Sequence, residues 1–387
     1  MKYYFSRFKH AKIILSTYNY PNPFQLHIKH YLRANKQFGS KDRKAITEIC
    51  YAYLRMRRSL SEYKLEQAIL ISSFCWFELE EEVFTSLTKE LGVSLKWPKD
   101  FGKMGDKERI SYVEEHLTIG DEALFNKKFV NAKFAANQMH WIRYRPLFWL
   151  RDLGGAKEYL RSLGFQESLE LDKAYSGQVQ QIAEREDLQV QDYSSQWMLS
   201  KIDIGEGNKV WDCCCGSGGK SIPLLNSKNE FYLSDQRDKI IGNAKRRLKQ
   251  HKRYIADIGV HDLIKDTELQ LENSSIPAGP FFDVIIADVP CSGSGTWFRN
   301  PEHFSYFDYS QIAKYVKRQK QILKSVIPRL KDGGFVYYLT CSIFTQENQD
   351  IVEYAEKELG LKTKEIIDVN GFQHDSDSMF MAVLTKA

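Results

Sequence analysis

Two cysteines stand directly after predicted strands, where a reactive side chain would be accessible. Cys291 follows the apolar run Phe282–Ala287, with Asp288 in the same loop, and Cys341 follows the run Phe335–Leu339. Structural cysteines are usually buried within an element, whereas a nucleophile needs an accessible position such as a turn. Each thiol alone is more often inert. Two thiols and an aspartate at the same edge of a sheet favour a covalent mechanism.

A glycine-rich turn precedes both cysteines, in the stretch KVWDCCCGSGGKS at 209–221. Val210–Trp211 predicts a strand and Lys220–Leu225 a helix, and such a turn directs backbone N–H groups at an anion or polar ligand. The phosphate-binding pattern G-x-x-x-x-G-K-[ST] needs a glycine where Cys214 stands, and the dinucleotide pattern G-x-G-x-x-G/A meets Ser221 instead. An ordinary strand–turn–helix joint therefore stays open as an alternative to a nucleotide site.

An acidic residue about 20 positions after such a turn typically binds ribose hydroxyls, and Asp235 has that place. Because the turn lacks a full pyrophosphate pattern, we expect a nucleoside cofactor without one, with S-adenosylmethionine as the leading candidate. Ligands of parallel sheets bind beyond the carboxyl ends of the strands. We therefore expect the turn, Asp235, Asp262, the loop 288–295 and Thr340–Ser342 to share one cleft.

These residue types suit methyl transfer to carbon 5 of a pyrimidine. That carbon is a poor nucleophile, and a thiolate added to carbon 6 turns the ring into an enamine that accepts a methyl group from a sulfonium. A carboxylic acid can bond to the ring nitrogen, and a base then removes the carbon-5 proton so that the thiol leaves. A free thiol titrates near ~8.5 and needs a nearby cation, for which Lys220 is the candidate.

Apolar periodicity predicts the elements that position these residues. Strands and helices alternate from residue 190 onward, as in a doubly wound α/β sheet. The predicted elements, besides the strands and the helix already given, are the strand Glu230–Ser234 and the helices Asp192–Ser200, Lys239–Gln250, Gln311–Leu330 and Gln346–Leu359.

Residues 1–95 are predicted to be helical, with the clearest helix at Asp42–Arg58 and Ser40 as its cap. Basic residues gather between 33 and 58, and they fit either a solvated helical surface or an RNA contact. A small α/β module is predicted at about 130–190. Its elements are the strand His140–Arg145, the helix Gly155–Leu163 and the strand Glu167–Leu171, and Arg143 and Arg145 either contact phosphates or bases or are ordinary surface residues.

Composition limits the class of protein. The chain has 387 residues, 43% of them hydrophobic, and a net charge of +5, which permits a nucleic-acid partner without requiring one. Seven cysteines without regular spacing argue against a secreted disulfide framework, and the absence of any C-x-x-C pair argues against zinc. The sequence shows neither a signal peptide nor a membrane-spanning run. We therefore expect a cytoplasmic protein without a metal or a membrane partner.

Three motifs together resemble the RsmB/Nol/Sun family of RNA cytosine-5 methyltransferases. They are DCCCGSGGKS at 212–221, ADVPCSGSGTW at 287–297 and LTCS at 339–342. VQDYSSQ at 190–196 is similar to the segment before the family's catalytic domain, and RANKQFGSKDRKAI at 33–46 is similar to the amino-terminal extension of bacterial members. The resemblance implies a Rossmann-like S-adenosylmethionine-dependent methyltransferase domain at 189–387. It is preceded by an all-α NusB-like RNA-binding domain at 1–125 and a small α/β RNA-binding subdomain at 126–188.

The resemblance also implies roles for individual residues. Cys341 would be the nucleophile, Cys291 would assist release of the product, and Asp288 would contact the cytosine ring. The implied cofactor-binding residues are Cys214, Cys215, Gly216, Ser217, Gly218, Gly219, Lys220, Asp235, Asp262 and Asp288, with Asp257 as the alternative to Asp262.

The chain departs from the family at two places. The cofactor turn of the family usually reads C-A-A-P-G-G-K, and here it reads C-C-G-S-G-G-K. Gly216 and Ser217 thus lose the stiffness of a proline. Arg145 stands where the family often has an asparagine.

The implied activity is methylation of carbon 5 of a cytosine in RNA, with small-subunit ribosomal RNA expected and transfer RNA open. We expect the protein to act as a monomer. A non-catalytic RNA-binding assembly factor on the same fold is the competing hypothesis, and the complete pair of cysteines with Asp288 speaks against it. Methylation of an exocyclic amine would require a [DN]-P-P-[YF] loop in place of Asp288–Cys291, and that loop is absent.

Overall fold

The computed structural model describes residues 2–77, 79–119, 147–177 and 182–386. The chain divides into two compact units. A helical unit comprises Met1–Arg145 and Trp297–Asp308, and a sheet unit comprises Pro146–Thr296 and Tyr309–Ala387. The predicted division into three domains remains a prediction.

The helical unit is built from helices that pack around one apolar core. Its amino-terminal helices are α1 (Lys2–Thr17), α2 (Phe24–Ala34), α3 (Ser40–Met56), α4 (Leu65–Trp76), α5 (Glu81–Leu91) and α6 (Asp106–His116). The predicted stripe of α3 is confirmed, since Ile46, Ile49 and Leu54 are fully buried. The predicted cap was wrong, because Ser40 is the first helical residue and Gly39 precedes it without a side-chain cap.

A small antiparallel sheet opens the sheet unit. Its strands are β1 (Phe148–Asp152), β2 (Gln166–Glu167), β3 (Ala174–Gly177) and β4 (Leu188–Val190), in the order β2-β3-β1-β4, with α7 (Lys157–Ser162) between β1 and β2. The predicted helix Gly155–Leu163 is confirmed over α7. The predicted strand Glu167–Leu171 ends after its first residue, because Ser168 Oγ accepts from the N–H groups of Glu170 and Leu171 and turns the backbone. The predicted strand His140–Arg145 lies outside the described residues.

The large sheet carries the strand ends at which the predicted site residues lie. It consists of β5 (Lys209–Asp212), β6 (Glu230–Asp235), β7 (Asp257–Val260), β10 (Phe282–Asp288), β11 (Leu330–Thr340), β12 (Leu361–Val369) and β13 (Met379–Lys386). The hairpin β8 (Leu269–Gln270) and β9 (Ser275–Ile276) stands apart from it. The order is β12-β13-β11-β10-β5-β6-β7, in which β13 alone pairs antiparallel with both neighbours. The predicted α/β sheet is thus confirmed, with an antiparallel edge.

Helices cover the sheet on both faces. They are α8 (Tyr193–Leu199), α9 (Ser221–Leu224), α10 (Asp238–Gln250), α12 (Ile312–Val326) and α13 (Gln349–Leu359), while α11 (Pro301–Tyr306) belongs to the helical unit. Trp211 and Val210 of β5 point to opposite faces, and each lies in a separate apolar core. The predicted helix Gln311–Leu330 ends early, because Pro328 lacks the N–H that a longer helix needs. Among the described residues, no helix is both long and apolar enough to cross a membrane.

The segment 297–308 packs onto the end of α3 within the helical unit. Arg55 donates to the carbonyl of Phe298 at 2.5 Å, and Arg57 donates to that of Ser305 at 2.6 Å. Arg58 donates to the carbonyls of Phe304 and Phe307. These arginines therefore bind backbone oxygens, which differs from both a solvated surface and an RNA contact.

Candidate active site

The parallel strands bring the predicted residues to one edge of the sheet. Because β5, β6, β7, β10 and β11 run in the same direction, their carboxyl ends share that edge. The residues that follow them are Cys213, Gln236, His261, Val289 and Cys341. The backbone therefore brings the predicted residues to one edge of the sheet, where a common cleft was expected.

The glycine turn is held by hydrogen bonds to two aspartates at strand ends. Asp212 accepts from Ser221 Oγ at 2.6 Å, and the N–H of Gly216 donates to Asp235 Oδ2 at 3.1 Å. Gly216 and Gly218 have φ of +54° and +78°, which a residue with a Cβ rarely adopts. The backbone of the turn therefore favours glycine at these two positions, as the sequence predicted.

The other predicted turn residues support the turn without lining the cavity described below. Cys215 is buried, and burial raises the pKa of its thiol. Arg247 donates to the carbonyl of Ser217 at 3.0 Å, and the side-chain amides of Gln189 and Gln191 both donate to the carbonyl of Gly219. These contacts hold the shape of the turn, and a part of these residues in cofactor binding stays a prediction.

A cavity of about 310 Å³ opens beside the turn. It is lined by residues from five loops or helices: Cys213, Cys214, Gly216, Asp235, Gln236, Arg237, His261, Asp262, Leu263, Ile264, Asp288, Val289, Pro290, Arg318 and Ile322. Of the predicted cofactor residues, five lie here, namely Cys214, Gly216, Asp235, Asp262 and Asp288. Sequence reasoning missed Arg318 and Ile322, although their spacing of four residues on a predicted helix places them on one face.

The two alternative aspartates, Asp257 at the start of β7 and Asp262 just after its end, differ in their surroundings. Asp262 lines the cavity, and its carboxylate accepts from the N–H of Ile264 at 3.1 Å. Asp257 is buried and accepts from the backbone and side chain of Asn273, so its oxygens are used within the fold. The geometry thus favours Asp262 over Asp257 as the residue facing a cofactor.

The thiols of Cys291 and Cys341 are in contact, with 3.4 Å between the two Sγ atoms. Both side chains are partly exposed. The hydrogen bond with Cys341, together with burial, raises the pKa of Cys291 well above its usual range. Two cysteines that lie 50 positions apart in the chain therefore form one contacting pair of thiols.

Lys220 and Asp288 connect the glycine turn to the cysteine loop. Lys220 Nζ lies 2.6 Å from Asp288 Oδ2, and both side chains are largely buried. Burial opposes the charge of the lysine, but the carboxylate of Asp288 more than compensates and raises the pKa of Lys220 above its usual value. Cys341 contributes in the same direction, so the ammonium is also within electrostatic reach of that thiol. Lys220, the cation named from the sequence, thus lies within electrostatic range of Cys341, and its part in activating that thiol stays a prediction.

Two further buried carboxyl groups lie near the site. Burial raises the pKa of Asp212 to about 7, and the charge of Asp288 adds to the effect. Burial also raises the pKa of Glu347, which lies six residues after Cys341 and was missed from the sequence. Its only sequence signal is a polar residue inside a segment predicted to be helical.

The residues around the cavity fit an S-adenosyl cofactor. Leu263 and Ile322 offer apolar surface to a base, and Asp235 lies at the strand end where ribose hydroxyls bind. Asp262 and Asp288 add negative charge, which suits a cofactor carrying a sulfonium and an ammonium group. Gly216 leaves open space where a Cβ would stand. No cluster of potential metal ligands occurs among the residues whose positions are described.

A Rossmann-like sheet with this glycine turn, cavity and pair of strand-end thiols defines a methyltransferase. Residues 200–384 match the family model described as "16S rRNA methyltransferase RsmB/F". This part of the chain is therefore similar to the methyltransferase domain of the RsmB/F family, and that similarity indicates S-adenosylmethionine as its cofactor.

Curated relatives carry the same family name. The chain is 24% identical over 402 residues to "Ribosomal RNA small subunit methyltransferase B" of Pectobacterium carotovorum, with 91% of this chain and 92% of that protein aligned. It is 29% identical over 210 residues to the protein of that name from Yersinia enterocolitica, with 51% of this chain and 46% of that protein aligned.

Solved structures share the fold. The structure titled PH0851 aligns with a TM-score of 0.68 at 16% identity over 97% of both chains. NSun6 from Pyrococcus horikoshii, solved with SFG, aligns with a TM-score of 0.58 at 13% identity, covering 67% of this chain and 96% of that one. At these identities, the likeness shows the fold alone.

Proposed function

We propose that this protein methylates carbon 5 of a cytosine in small-subunit ribosomal RNA through a covalent adduct with Cys341. The observation that carries the proposal is the contact between the Cys341 and Cys291 thiols beside Asp288, which lines the cofactor cavity. Direct methyl transfer to a nitrogen or oxygen needs no covalent bond to the substrate. A paired thiol suits a reaction that must first add to carbon 6 and later leave it.

The first half of the reaction makes carbon 5 nucleophilic. Cys341 Sγ, which lies within electrostatic reach of the Lys220 ammonium, loses its proton to solvent and then forms a bond to carbon 6 as a thiolate. The π electrons of the carbon 5–carbon 6 bond then shift toward carbon 5 and the ring nitrogen. A proton that Lys220 passes to Asp288 across their 2.6 Å contact lets Asp288 donate a hydrogen bond to that nitrogen. S-adenosylmethionine would supply a methyl group from its sulfonium, and carbon 5 would accept it as the sulfur–methyl bond breaks and leaves the neutral thioether S-adenosylhomocysteine.

The second half restores the aromatic ring. The proton on carbon 5 leaves to solvent, the electrons of that C–H bond re-form the carbon 5–carbon 6 double bond, and the bond from carbon 6 to Cys341 Sγ breaks. Cys291, whose raised pKa keeps it protonated, donates its proton to the departing sulfur over 3.4 Å. Cys291 then regains a proton from solvent.

The helical unit is proposed to bind the RNA substrate. Arg33, Lys36, Lys41 and Lys44 are exposed on and between α2 and α3. Exposed basic side chains bind phosphates with little dependence on sequence, so they would orient the RNA and leave the choice of cytosine to the sheet unit. The protein is proposed to act as a cytoplasmic monomer.

The test compares three proteins with radiolabelled S-adenosylmethionine and transcribed small-subunit ribosomal RNA. We expect 5-methylcytidine from the wild type and no turnover from Cys341→Ala. Cys291→Ala is expected to leave a protein–RNA adduct that survives denaturing electrophoresis. Full activity of Cys341→Ala would refute the covalent mechanism, and methylation of transfer RNA alone would replace the substrate while keeping the mechanism.

A further inference from the structure

Cys291 is flanked by hydrogen bonds that converge on one carboxyl group. On its carboxyl-terminal side, the N–H of Ser292 donates to Glu347 Oε1 at 2.8 Å. On its amino-terminal side, the carbonyl of Pro290 accepts from Gln319 Nε2 at 3.1 Å, and that same amide nitrogen donates to Glu347 Oε1 at 3.0 Å. Ser292 is thus hydrogen-bonded to Glu347 directly, and Pro290 is connected to it through Gln319.

The other oxygen of this carboxyl group reaches the second cysteine. Ser342, the residue after Cys341, donates its hydroxyl hydrogen to Glu347 Oε2 at 2.6 Å. The backbone of Glu347 is itself fixed, because Tyr338 Oη donates to its carbonyl at 2.7 Å. Glu347 therefore bridges the loop of Cys291 and the loop of Cys341.

Glu347 and Gln319 are fully buried. The carboxyl group is held by neutral donors, and no ion pair to it is present in the described part of the chain. Taking a carboxyl group out of water is costly, even where neutral donors hydrogen-bond it as they do here. A cost of this kind beside two reacting thiols points to a functional use.

We propose that Glu347 is a positioning residue, which holds the loop of Cys291 against Cys341 so that the two thiols stay in contact during product release. The inference rests on the proposed function, since the thiols are taken as the reacting groups. The loop of Cys341 is held by further hydrogen bonds. Gly295 N donates to the carbonyl of Cys341 at 2.8 Å, and Asn348 Nδ2 donates to the carbonyl of Ser342 at 2.8 Å. Loss of Glu347 should therefore free Cys291 more than Cys341.

The test compares Glu347→Ala with the rescue variant Glu347→Gln. The glutamine oxygen can accept from Ser292 and Gln319, and its amide can donate to the hydroxyl of Ser342, so the bridge persists. We expect Glu347→Ala to lower the rate of product release about tenfold or more, as misplaced catalytic groups do, with the KM for S-adenosylmethionine within about twofold. The covalent RNA adduct should accumulate as in Cys291→Ala, and Glu347→Gln should behave as the wild type does.

A second readout needs no RNA. Dibromobimane fluoresces when it bridges two neighbouring thiols, and we expect it to bridge Cys291 and Cys341 in the wild type and in Glu347→Gln, but about tenfold more slowly in Glu347→Ala. The matched control is Glu358→Ala, an exposed glutamate on α13, which should change neither readout. If Glu347→Ala fails to fold, Gln319→Leu replaces it, because this variant removes the hydrogen bond to the carbonyl of Pro290. We expect the same slower bridging of the two thiols from it.

The outcomes separate this inference from the proposed function. If the wild type makes no 5-methylcytidine, the proposed function fails, and the bridging rates still test the role of Glu347. If the wild type is active and Glu347→Ala releases product and bridges its thiols at wild-type rates, the inference is overturned. A parallel fall of adduct and product, with bridging unchanged, would also overturn it, because it indicates a structural role alone.

Discussion

Gly295 allows the backbone after Cys291 to pass directly beside the residue after β11. Its N–H donates to the carbonyl of Cys341 at 2.8 Å, and its carbonyl accepts from the N–H of Ser378 at 2.9 Å. A Cβ at this position would lie 2.0 Å from the oxygen of Ser378 and 3.0 Å from that of Cys341. Both neighbours are backbone atoms, so they cannot rotate away as the end of a side chain could.

Gly295→Ala is therefore expected to destabilise the sheet unit and to displace Cys341. Overpacking of this kind costs about 1–3 kcal/mol. Each of the two strained hydrogen bonds adds about 1 kcal/mol if it breaks. We expect a loss of about 3–5 kcal/mol in the free energy of unfolding. A displacement of the nucleophile by about 1 Å would lower methyl transfer about 100-fold.

The assay pairs denaturant unfolding with methyl-transfer rates for two glycine variants. Gly279→Ala is the matched control, because Gly279 is exposed and nothing lies within 4 Å of the position of its Cβ. The control should match the wild type in both measurements. If Gly295→Ala also does so, the close approach of the two loops is wrong, and with it the geometry of the thiol pair.

Two further predictions concern aspartates at strand ends. Burial holds the pKa of Asp212 at about 7, so the folded state binds a proton that the unfolded state has lost above its ordinary pKa of 3.8. The free energy of unfolding should thus fall as the pH rises from 5 to 7, by about 1.4 kcal/mol per pH unit and about 3 kcal/mol in all. Denaturant titration should show no such loss in Asp212→Asn. A pH dependence equal in both proteins would contradict this. Arg237 donates three hydrogen bonds to Asp235, the residue expected to bind ribose, and its side chain is 58% exposed. A cofactor that binds Asp235 must compete with this ion pair, and an exposed ion pair is worth about 1 kcal/mol or less. Arg237→Ala should therefore tighten S-adenosylmethionine binding by up to about fivefold in calorimetry. Weaker binding would show that the arginine contacts the cofactor.

Local sequence pattern was sufficient to predict the edge of the sheet where the site lies. Apolar runs such as Phe282–Ala287 mark buried strands, and the polar residues after them fall at the carboxyl edge because parallel strands share a direction. The same pattern did not reveal β12, whose exposed residues Lys364 and Glu365 interrupt its apolar alternation. Long-range hydrogen bonds leave no periodic signal at all. The bridge at Glu347 and the arginines that bind the segment 297–308 were therefore visible only in the structure.

The residues that line the cavity likewise include some that the sequence predicted and some that only the structure revealed. Asp235 and Asp262 were predicted from their place after strands, and both line it. Arg318 and Ile322 reach it from α12, whose approach to the sheet depends on tertiary packing. The exchange of the family's proline for Ser217 left the turn intact, because Arg247 binds the carbonyl and the hydroxyl of that serine.

Bisulfite sequencing of total RNA, from cells with and without this gene, tests the central claim most directly. A 5-methylcytosine resists deamination, so the claim predicts one protected cytosine in small-subunit ribosomal RNA that is lost on deletion. The wild-type gene should restore it and the Cys341→Ala gene should not. Identical protection at every cytosine of all RNAs, with and without the gene, would contradict the claim.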